Sequence, residues 1–170
     1  MLKIRQMKME DASFVAAIHS FSWRKAYQHL LPSHYLESLD LAKIEQNWKT
    51  GMEVNADVVR LVAVQDGQII GYAAGLENRS QDLIPAEGEL WALYIHPEFW
   101  RHHVGTALFE DYSREMLKRN WSRFLIWVLE ENQAARSFYQ MKGGEIQPHK
   151  KVVKYGGEEF YEVAYLFKTI

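Results

Sequence analysis

The fold of this chain is decided by residues 89–110, which read ELWALYIHPEFWRHHVGTALFE. The apolar run that ends at Ile95 and is closed by Pro97 predicts a β-strand. After the turn, apolar residues recur at helical spacing and predict an amphipathic helix over residues 105–117. The predicted helix face consists of Gly105, Leu108, Phe109, Tyr112 and Met116. Because the first N–H groups of a helix lack a partner and lie at the positive end of its dipole, this strand–loop–helix unit suits a phosphate or diphosphate.

The length and composition limit the class of protein. A chain of 170 residues predicts a single domain over residues 1–170, since two domains would each have an undersized core. Twenty-two acidic and twenty basic side chains give a net charge of −2, which argues against a nucleic acid or an acidic membrane surface as the main partner. The chain has no cysteine, so thiolate zinc sites and cysteine nucleophiles are excluded. No segment has the apolar character of a signal peptide or a membrane span, and we expect a cytoplasmic protein.

The segment before residue 58 predicts a short strand over residues 2–5 and three helices. Residues 10–11, Ser33 and Asp40 are candidate N-caps, because short polar side chains accept hydrogen bonds from the first N–H groups of a helix. Gly51 is predicted to end the third helix. Phe14, Ile18 and Phe21 recur at helical spacing and mark one face of the first helix.

The second half of the chain predicts strands joined by turns and crossovers. Asp66-Gly67 lies between two β-branched-rich runs and predicts a type I′ hairpin turn. The strands predicted here, besides residues 89–95, are residues 58–65, 68–75, 123–129, 145–154 and 159–168. The connection from strand 89–95 through the helix to strand 123–129 is a βαβ crossover, which requires parallel neighbours. The predicted architecture is α/β (α+β), a mixed, mostly antiparallel sheet with a central parallel pair and helices on both faces.

A second motif lies in the helix that follows strand 123–129. Residues 132–139 read NQAARSFY, and Gly143-Gly144 ends the helix that Asn132 can cap. The positions that match the N-x-x-A-x-x-F-Y motif of the GNAT superfamily are Asn132, Ala135, Phe138 and Tyr139. With the strand–loop–helix of residues 89–110 and the order of elements, this motif makes the chain resemble the acetyl-CoA-dependent N-acetyltransferases of that superfamily over essentially its full length.

The resemblance implies that acetyl-CoA is the cosubstrate and that the loop before the long helix holds its diphosphate. The family's loop pattern is Gln/Arg-x-x-Gly-x-Gly/Ala, whereas this chain has Trp100 at the first position and His103 at the first glycine. Main-chain N–H groups can bind phosphate without glycine where the backbone conformation is tolerated. The expected diphosphate-binding residues are Arg101, His102, His103, Val104, Gly105 and Thr106.

The resemblance also implies where the pantetheine arm lies. In the family, a bulge splays the strand equivalent to residues 89–95 from the strand equivalent to residues 123–129, and this leaves backbone groups free for pantetheine. The backbone candidates are Leu93, Tyr94 and Ile95. Asn132 and Tyr139 of the second motif are expected to contact the cofactor as well.

Acetyl transfer to an amine needs a proton donor and a proton acceptor around the thioester. By resemblance, Tyr139 is the candidate acid that protonates the departing thiolate. Glu89, at the head of the central strand, is the candidate base acting through water, and Glu87, two residues earlier, is its alternative. Because the chain lacks cysteine, the amine is expected to attack acetyl-CoA directly in a ternary complex.

The family's acceptor wall falls on residues 22–32 of this chain. Trp23 and Tyr27 lie four residues apart and share one side of a helix. They are candidates for stacking on an amine through cation–π contacts, or else they are core residues. The expected partner is a small-molecule amine. The alternatives are a protein or peptide amine, and a non-catalytic acyl-CoA-binding sensor or interaction module.

Other kinds of site are not expected. None of the seven histidines forms an HExxH motif, and the adjacent His102 and His103 would diverge as ligands, so we expect no metal. No G-x-S-x-G sequence supports a serine hydrolase. Lysines 150, 151 and 154 are expected on an edge strand, where lysine blocks unwanted pairing. The aromatic residues and the C-terminal strands allow a homodimer.

Overall fold

A mixed sheet forms the centre of the structure, a computed structural model that describes residues 1–80 and 83–169. These described residues form seven strands and five α-helices. In chain order they are β1 (Leu2–Gln6), α1 (Ala12–Ala26), α2 (Ser33–Glu37), α3 (Leu41–Val54), β2 (Val59–Gln65), β3 (Gln68–Glu77), β4 (Gly88–Ile95), α4 (Val104–Lys118), β5 (Arg123–Leu129), α5 (Gln133–Met141), β6 (Glu145–Tyr155) and β7 (Glu158–Lys168).

The strand order confirms the predicted sheet. It runs β1-β2-β3-β4-β5-β7-β6, with β6 at one edge as its lysines predicted. Neighbouring strands are antiparallel except β4 and β5. This central parallel pair is short: among the described residues it joins only Gly88 to Phe124 and Glu89 to Leu125.

Helices cover both faces of the sheet, as predicted. The α4 side chains predicted to face the sheet are buried, namely Leu108, Phe109, Tyr112 and Met116. On the same face, α5 packs beside them through Phe138 and Tyr139. On the opposite face, α1 packs against β3 and β4 and is covered in turn by α3. Of the three residues that mark one face of α1 in the sequence, Ile18 is buried and packs against the sheet together with Val15, whereas Phe14 and Phe21 are 58% and 50% exposed.

Two local turn and cap predictions are confirmed. Asp66 and Gly67 have φ angles of 51° and 81°, as a type I′ hairpin requires. The Asp40 carboxylate accepts hydrogen bonds from the N–H groups of Ala42 at 2.9 Å and Lys43 at 3.2 Å, and so caps α3.

Other helix boundaries differ from prediction. Helix α3 continues past Gly51 to Val54, because Gly51 does not adopt the left-handed conformation that ends a helix. Helix α2 starts at Ser33, but Pro32 occupies the N-cap and no side chain caps it. Asp11 stands at the N-cap of α1, yet its carboxylate accepts hydrogen bonds from other groups, the Arg5 guanidinium and the Lys8 N–H.

A bulge in β4 bends this strand near β5. Ala74 of β3 pairs with Ala92, but the next residue, Gly75, pairs with Leu90. Trp91 is therefore the extra residue of β4, and a bulge of this kind increases the local bend of a strand. Pairing between β4 and β5 stops beside this bulge.

Close packing holds the strand at the bulge. The Tyr112 hydroxyl donates a 2.8 Å hydrogen bond to the backbone carbonyl of Glu89. Gly75 lies against both groups, and a Cβ at this position would overlap with them. A glycine is needed here because the neighbouring backbone approaches so closely.

Candidate active site

The separation of β4 and β5 opens a slot that contains a cavity of about 260 Å³. The cavity brings together six residues that the sequence predicted for a site: Trp23, Tyr27, Glu89, Leu93, Tyr94 and Tyr139. Among the lining residues that were not predicted, six have aromatic or charged side chains: Arg79, Trp91, Trp127, Lys151, Tyr155 and Glu162. The lining thus combines a strand backbone, aromatic rings and charges of both signs.

The backbone of β4 offers alternate residues to the slot. The N–H of His96 donates to the carbonyl of Ile70 at 2.8 Å, so residues 94 and 96 turn their backbone groups toward β3. Leu93 and Ile95 turn theirs the other way. The Ile95 carbonyl already accepts hydrogen bonds from Ser22 Oγ at 2.9 Å and Trp100 Nε1 at 2.8 Å. Leu93 is therefore the best-placed of the three predicted backbone contacts, and Tyr94 contributes its side chain instead.

The loop before α4 has a left-handed backbone conformation at two residues that are not glycine. Arg101 and His103 have φ angles of 67° and 60°, in the left-handed region that glycine favours. His103 is the N-cap of α4, and the first intrahelical bond runs from the Ala107 N–H to the His103 carbonyl. The N–H groups of residues 104–106 therefore lack backbone acceptors among the described residues.

This helix start lies close to the slot. A Cβ on Gly105 would be 3.3 Å from Ile95 Cδ1 and 3.7 Å from the Phe138 ring, so the helix abuts both the end of β4 and α5. The side chains of Arg101, His102 and His103 are exposed. Three residues with basic side chains thus directly precede these N–H groups in the chain.

Tyr139 is held inside the protein by aromatic packing. Asn132 caps its helix, since Oδ1 accepts the Ala135 N–H at 3.1 Å. The Tyr139 side chain is 5% exposed and contacts the rings of Tyr165 and Phe167. Burial raises the pKa of Tyr139 far above its ordinary value. The hydroxyl therefore stays protonated at neutral pH, as a proton donor must.

Glu89 is buried and fully engaged by Arg79. Its residue exposure is 2%. One carboxylate oxygen accepts the Arg79 guanidinium at 2.6 Å, and the other accepts the Arg79 backbone N–H at 3.0 Å. The same guanidinium lies 4.6 Å from the centre of the Trp91 ring. Glu89 thus positions Arg79 over Trp91.

Glu87, the alternative base, is held at another place. Its carboxylate accepts hydrogen bonds from Ser122 Oγ at 3.1 Å and from the Arg123 N–H at 3.0 Å. Burial opposes the charge of Glu87, but these hydrogen bonds prevail and lower its pKa. Glu87 is not among the residues that line the cavity.

Trp23 and Tyr27 form one wall of the cavity and also belong to a core cluster. Their rings are 4.9 Å apart, and Tyr27 is buried. The Tyr27 hydroxyl interacts with the side chains of Tyr94 and Asn132. Trp23 and Tyr27 are therefore core residues that also line the cavity, and their contact with a substrate stays a prediction.

Two of the unpredicted charges come from the paired strands β6 and β7. Lys151 of β6 and Glu162 of β7 are directly opposite each other, and the Lys151 ammonium lies 4.1 Å from the centre of the Trp127 ring. The sequence favoured an edge-blocking role for this lysine. Only the register of the two strands turns Lys151 and Glu162 into the cavity.

Three indole N–H groups of the lining are buried without an acceptor in the described part of the chain. They belong to Trp23, Trp91 and Trp127. Buried donors usually have a partner. A ligand oxygen in the cavity could supply one.

Residues 1–80 and 83–169 show neither a metal-binding cluster nor a membrane-spanning helix. No group of three or more histidines and carboxylates in these ranges could hold a metal ion. None of the helices described there has the length and apolar character needed to cross a membrane.

Comparison with known sequences gives one family. Residues 22–143 match the family described as the acetyltransferase (GNAT) family. The uncharacterized N-acetyltransferase YuaI of Bacillus subtilis (strain 168) is 32% identical over 144 residues, which cover 82% of this chain and 78% of that protein. The spermidine N(1)-acetyltransferase of Thermoplasma acidophilum is 25% identical over 150 residues, which cover 86% and 89%.

Comparison with solved structures gives the same fold. The PaiA N-acetyltransferase of Thermoplasma acidophilum in complex with coenzyme A has a TM-score of 0.75 at 21% identity, over 99% of each chain. The structure of yncA from Salmonella typhimurium with acetyl-CoA has a TM-score of 0.73 at 16% identity, over 100% of this chain and 95% of that one. At these identities the likeness concerns the fold.

Proposed function

The chain belongs to the GNAT acetyltransferase family and is an acetyl-CoA-dependent acyltransferase, and we propose that its acceptor is the primary amine of a small molecule. The observation that carries the proposal is the slot itself. Strand β4 parts from β5 after Glu89, and the cavity in the slot is lined by the buried hydroxyl-bearing Tyr139. A thioester entering the slot therefore meets a proton donor.

The diphosphate of acetyl-CoA binds at the start of α4 in this proposal. The N–H groups of residues 104–106 and the left-handed backbone at Arg101 and His103 form a concave set of donors. The exposed side chains of Arg101, His102 and His103 add charge-assisted contacts. The coenzyme A and acetyl-CoA complexes of structural neighbours support this choice of cosubstrate.

The pantetheine arm then follows β4 toward the cavity. Its amide groups pair with the backbone of Leu93, which faces away from β3. Asn132 caps α5 and interacts with Tyr27, a residue of the cavity lining. This path brings the thioester toward Tyr139.

Transfer follows by direct attack of the amine on the acetyl carbon. The new C–N bond forms as the C–S bond breaks, and the electron pair of the C–S bond leaves with sulfur. The Tyr139 hydroxyl protonates this thiolate, and a carboxylate of the cavity takes the proton that the amine loses. No acyl-cysteine can form, because the chain has no cysteine.

The cavity supports a small acceptor. Its volume of about 260 Å³ suits a compact molecule. The four charged side chains of the lining are Arg79, Lys151, Glu89 and Glu162, and their formal charges cancel. The net charge of the cavity therefore gives no preference for a polycation. Because one relative is named as a spermidine acetyltransferase, spermidine is tested beside amino acids and other amines.

The test is release of coenzyme A from acetyl-CoA in the presence of polyamines, amino acids, aminoglycosides and peptides. We expect at least one small amine to be acetylated, and Tyr139→Phe to lower kcat about 10²-fold or more without loss of coenzyme A binding. Tyr161→Phe, an exposed position on β7, is the matched control with unchanged activity.

Three results would contradict the proposal. Coenzyme A binding without transfer to any amine indicates a sensor or interaction module. Transfer to peptides alone indicates a protein acceptor. A Tyr139→Phe variant with wild-type kcat removes Tyr139 from the mechanism.

A further inference from the structure

We infer that Glu162, and not Glu89, receives the proton that the acceptor amine loses during transfer. This inference rests on the proposed function, because it concerns the base of the same reaction. It is carried by the position of Glu162 in the sheet, by the contacts that occupy Glu89, and by the groups that face Glu162.

The strand register places Glu162 at the cavity. Glu162 of β7 is directly opposite Leu129, the last residue of β5, and directly opposite Lys151 of β6. Opposite residues share one face of a sheet. Leu129 packs against Tyr27, so this is the face covered by α1. Glu162 therefore approaches the cavity from the side of the acceptor wall, and Tyr139 of α5 lines it from the other face.

Glu89 is the poorer base because Arg79 already uses its charge. Each of its two carboxylate oxygens accepts a hydrogen bond from Arg79, one from the guanidinium and one from the backbone N–H. A proton on Glu89 would remove the negative charge that pairs with the guanidinium in a buried place, which is costly. Glu89 is better described as the residue that positions Arg79.

Glu162 is not engaged in this way. In the described part of the chain its carboxylate interacts with charged neighbours only at longer range and forms no hydrogen bond with them. The charged or ionisable groups that face it are Lys151 and Tyr155 of β6, Glu89 of β4, Arg79 of the loop after β3, and Tyr27 next to α1. An incoming amine therefore finds an available acceptor for its proton.

The surroundings of Glu162 also suit a base that works near neutral pH. Burial raises the pKa of Glu162, the negative charge of Glu89 raises it further, and Lys151 and Arg79 act in the opposite direction. A carboxylate with a raised pKa binds a proton more readily than an ordinary one. Lys151 lies directly opposite Glu162 on the neighbouring strand, and burial lowers the pKa of Lys151.

The proton balance closes with these two residues. When the amine nitrogen bonds to the acetyl carbon, it carries one proton too many, and this proton passes to the Glu162 carboxylate. The thiolate takes a proton from Tyr139. Glu162 then releases its proton to solvent, and Tyr139 takes up a proton from solvent, so the enzyme ends the cycle unchanged.

The test compares pH profiles. We measure kcat at saturating amine between pH 5 and 9 for the wild type, Glu162→Gln, Glu162→Asp and Glu89→Gln, because kcat reports groups of the enzyme–substrate complex. We expect the wild-type kcat to fall toward acidic pH, and this part of the profile is called the acid limb. Glu162→Gln lowers kcat about 10²-fold or more and abolishes the acid limb, whereas Glu162→Asp keeps the limb and part of the rate.

The controls separate catalysis from folding. Glu159→Gln, at an exposed position of the same strand, leaves the profile unchanged, and thermal unfolding and coenzyme A affinity show whether each variant folds and binds. The inference is overturned if Glu162→Gln keeps the acid limb, or if Glu89→Gln abolishes it. A wild type that acetylates no amine refutes the proposed function instead, so the two failures are distinguishable.

Discussion

Acidification is expected to destabilise this protein through His19, a residue of α1 beside the acceptor wall. The ring stacks on Trp23 with centres 5.2 Å apart and shares a 2.9 Å hydrogen bond with the Tyr72 hydroxyl. Burial lowers the pKa of His19 to about 4. An unfolded chain keeps a histidine pKa at about 6.5. The folded protein therefore holds His19 neutral over a pH range in which the unfolded chain carries its charge.

The sign and size follow from this difference in pKa. Above about pH 6.5, His19 is neutral in both states and adds no pH dependence. As the pH falls from there to about 4, the unfolded state binds a proton that the folded state does not, so the free energy of unfolding decreases. Since one pKa unit corresponds to about 1.36 kcal/mol, His19 alone removes about 2 kcal/mol between pH 7 and pH 5. For a chain of this length, this lowers Tm by about 4–8 °C.

Urea unfolding at pH 7, 6 and 5 measures the effect. The wild type is compared with His19→Gln, which cannot titrate, and with His29→Gln, which removes an exposed histidine. Other groups titrate alike in all three proteins, so the difference between variants isolates His19. We expect the wild type and His29→Gln to lose about 2 kcal/mol more than His19→Gln between pH 7 and pH 5. Equal losses in the wild type and His19→Gln would refute the reasoning.

Two further predictions concern the backbone of the site. Gly75→Ala is expected to lower the free energy of unfolding by about 2 kcal/mol, because the new Cβ meets the Glu89 carbonyl. Gly51→Ala, in open helical surroundings, raises it by about 0.5–1 kcal/mol; equal effects in urea unfolding would exclude the close approach. His103→Val is expected to weaken coenzyme A binding in calorimetry, since a β-branched residue is strained at a φ of 60°, and His103→Gly to retain it. Equal affinities of these two variants would contradict a role for the left-handed loop.

The elements of the fold could be predicted because their signals are local. The Asp66-Gly67 turn, the buried face of α4 and the Asp40 cap each depend on residues within a few positions of one another. The α1 face was predicted less well, since Phe14 and Phe21 fit a helical period but face away from the sheet. Periodicity identifies an apolar stripe, and packing decides which stripe is buried.

The candidate site was predicted only where a motif carried it. Tyr139 and Asn132 belong to a recognisable spacing, and His103 could be identified as the residue at a glycine position. Arg79 had no such signal, because it lies in a loop and reaches Glu89 only in the folded chain. Its two hydrogen bonds to Glu89 are the reason why we propose a positioning role for Glu89 and assign the base to Glu162.

What the sequence by itself determined is the family, the order of helices and strands, and the position in its motif of Tyr139, the proposed acid. What only the tertiary structure decided is the chemistry of the acceptor side. Lys151 and Glu162 come from different strands and meet because β6 and β7 pair in one register. A shift of β6 by one residue against β7 would turn Lys151 to the other face, away from Glu162. That register depends on packing and pairing between strands, which the spacing of residues within one strand does not contain.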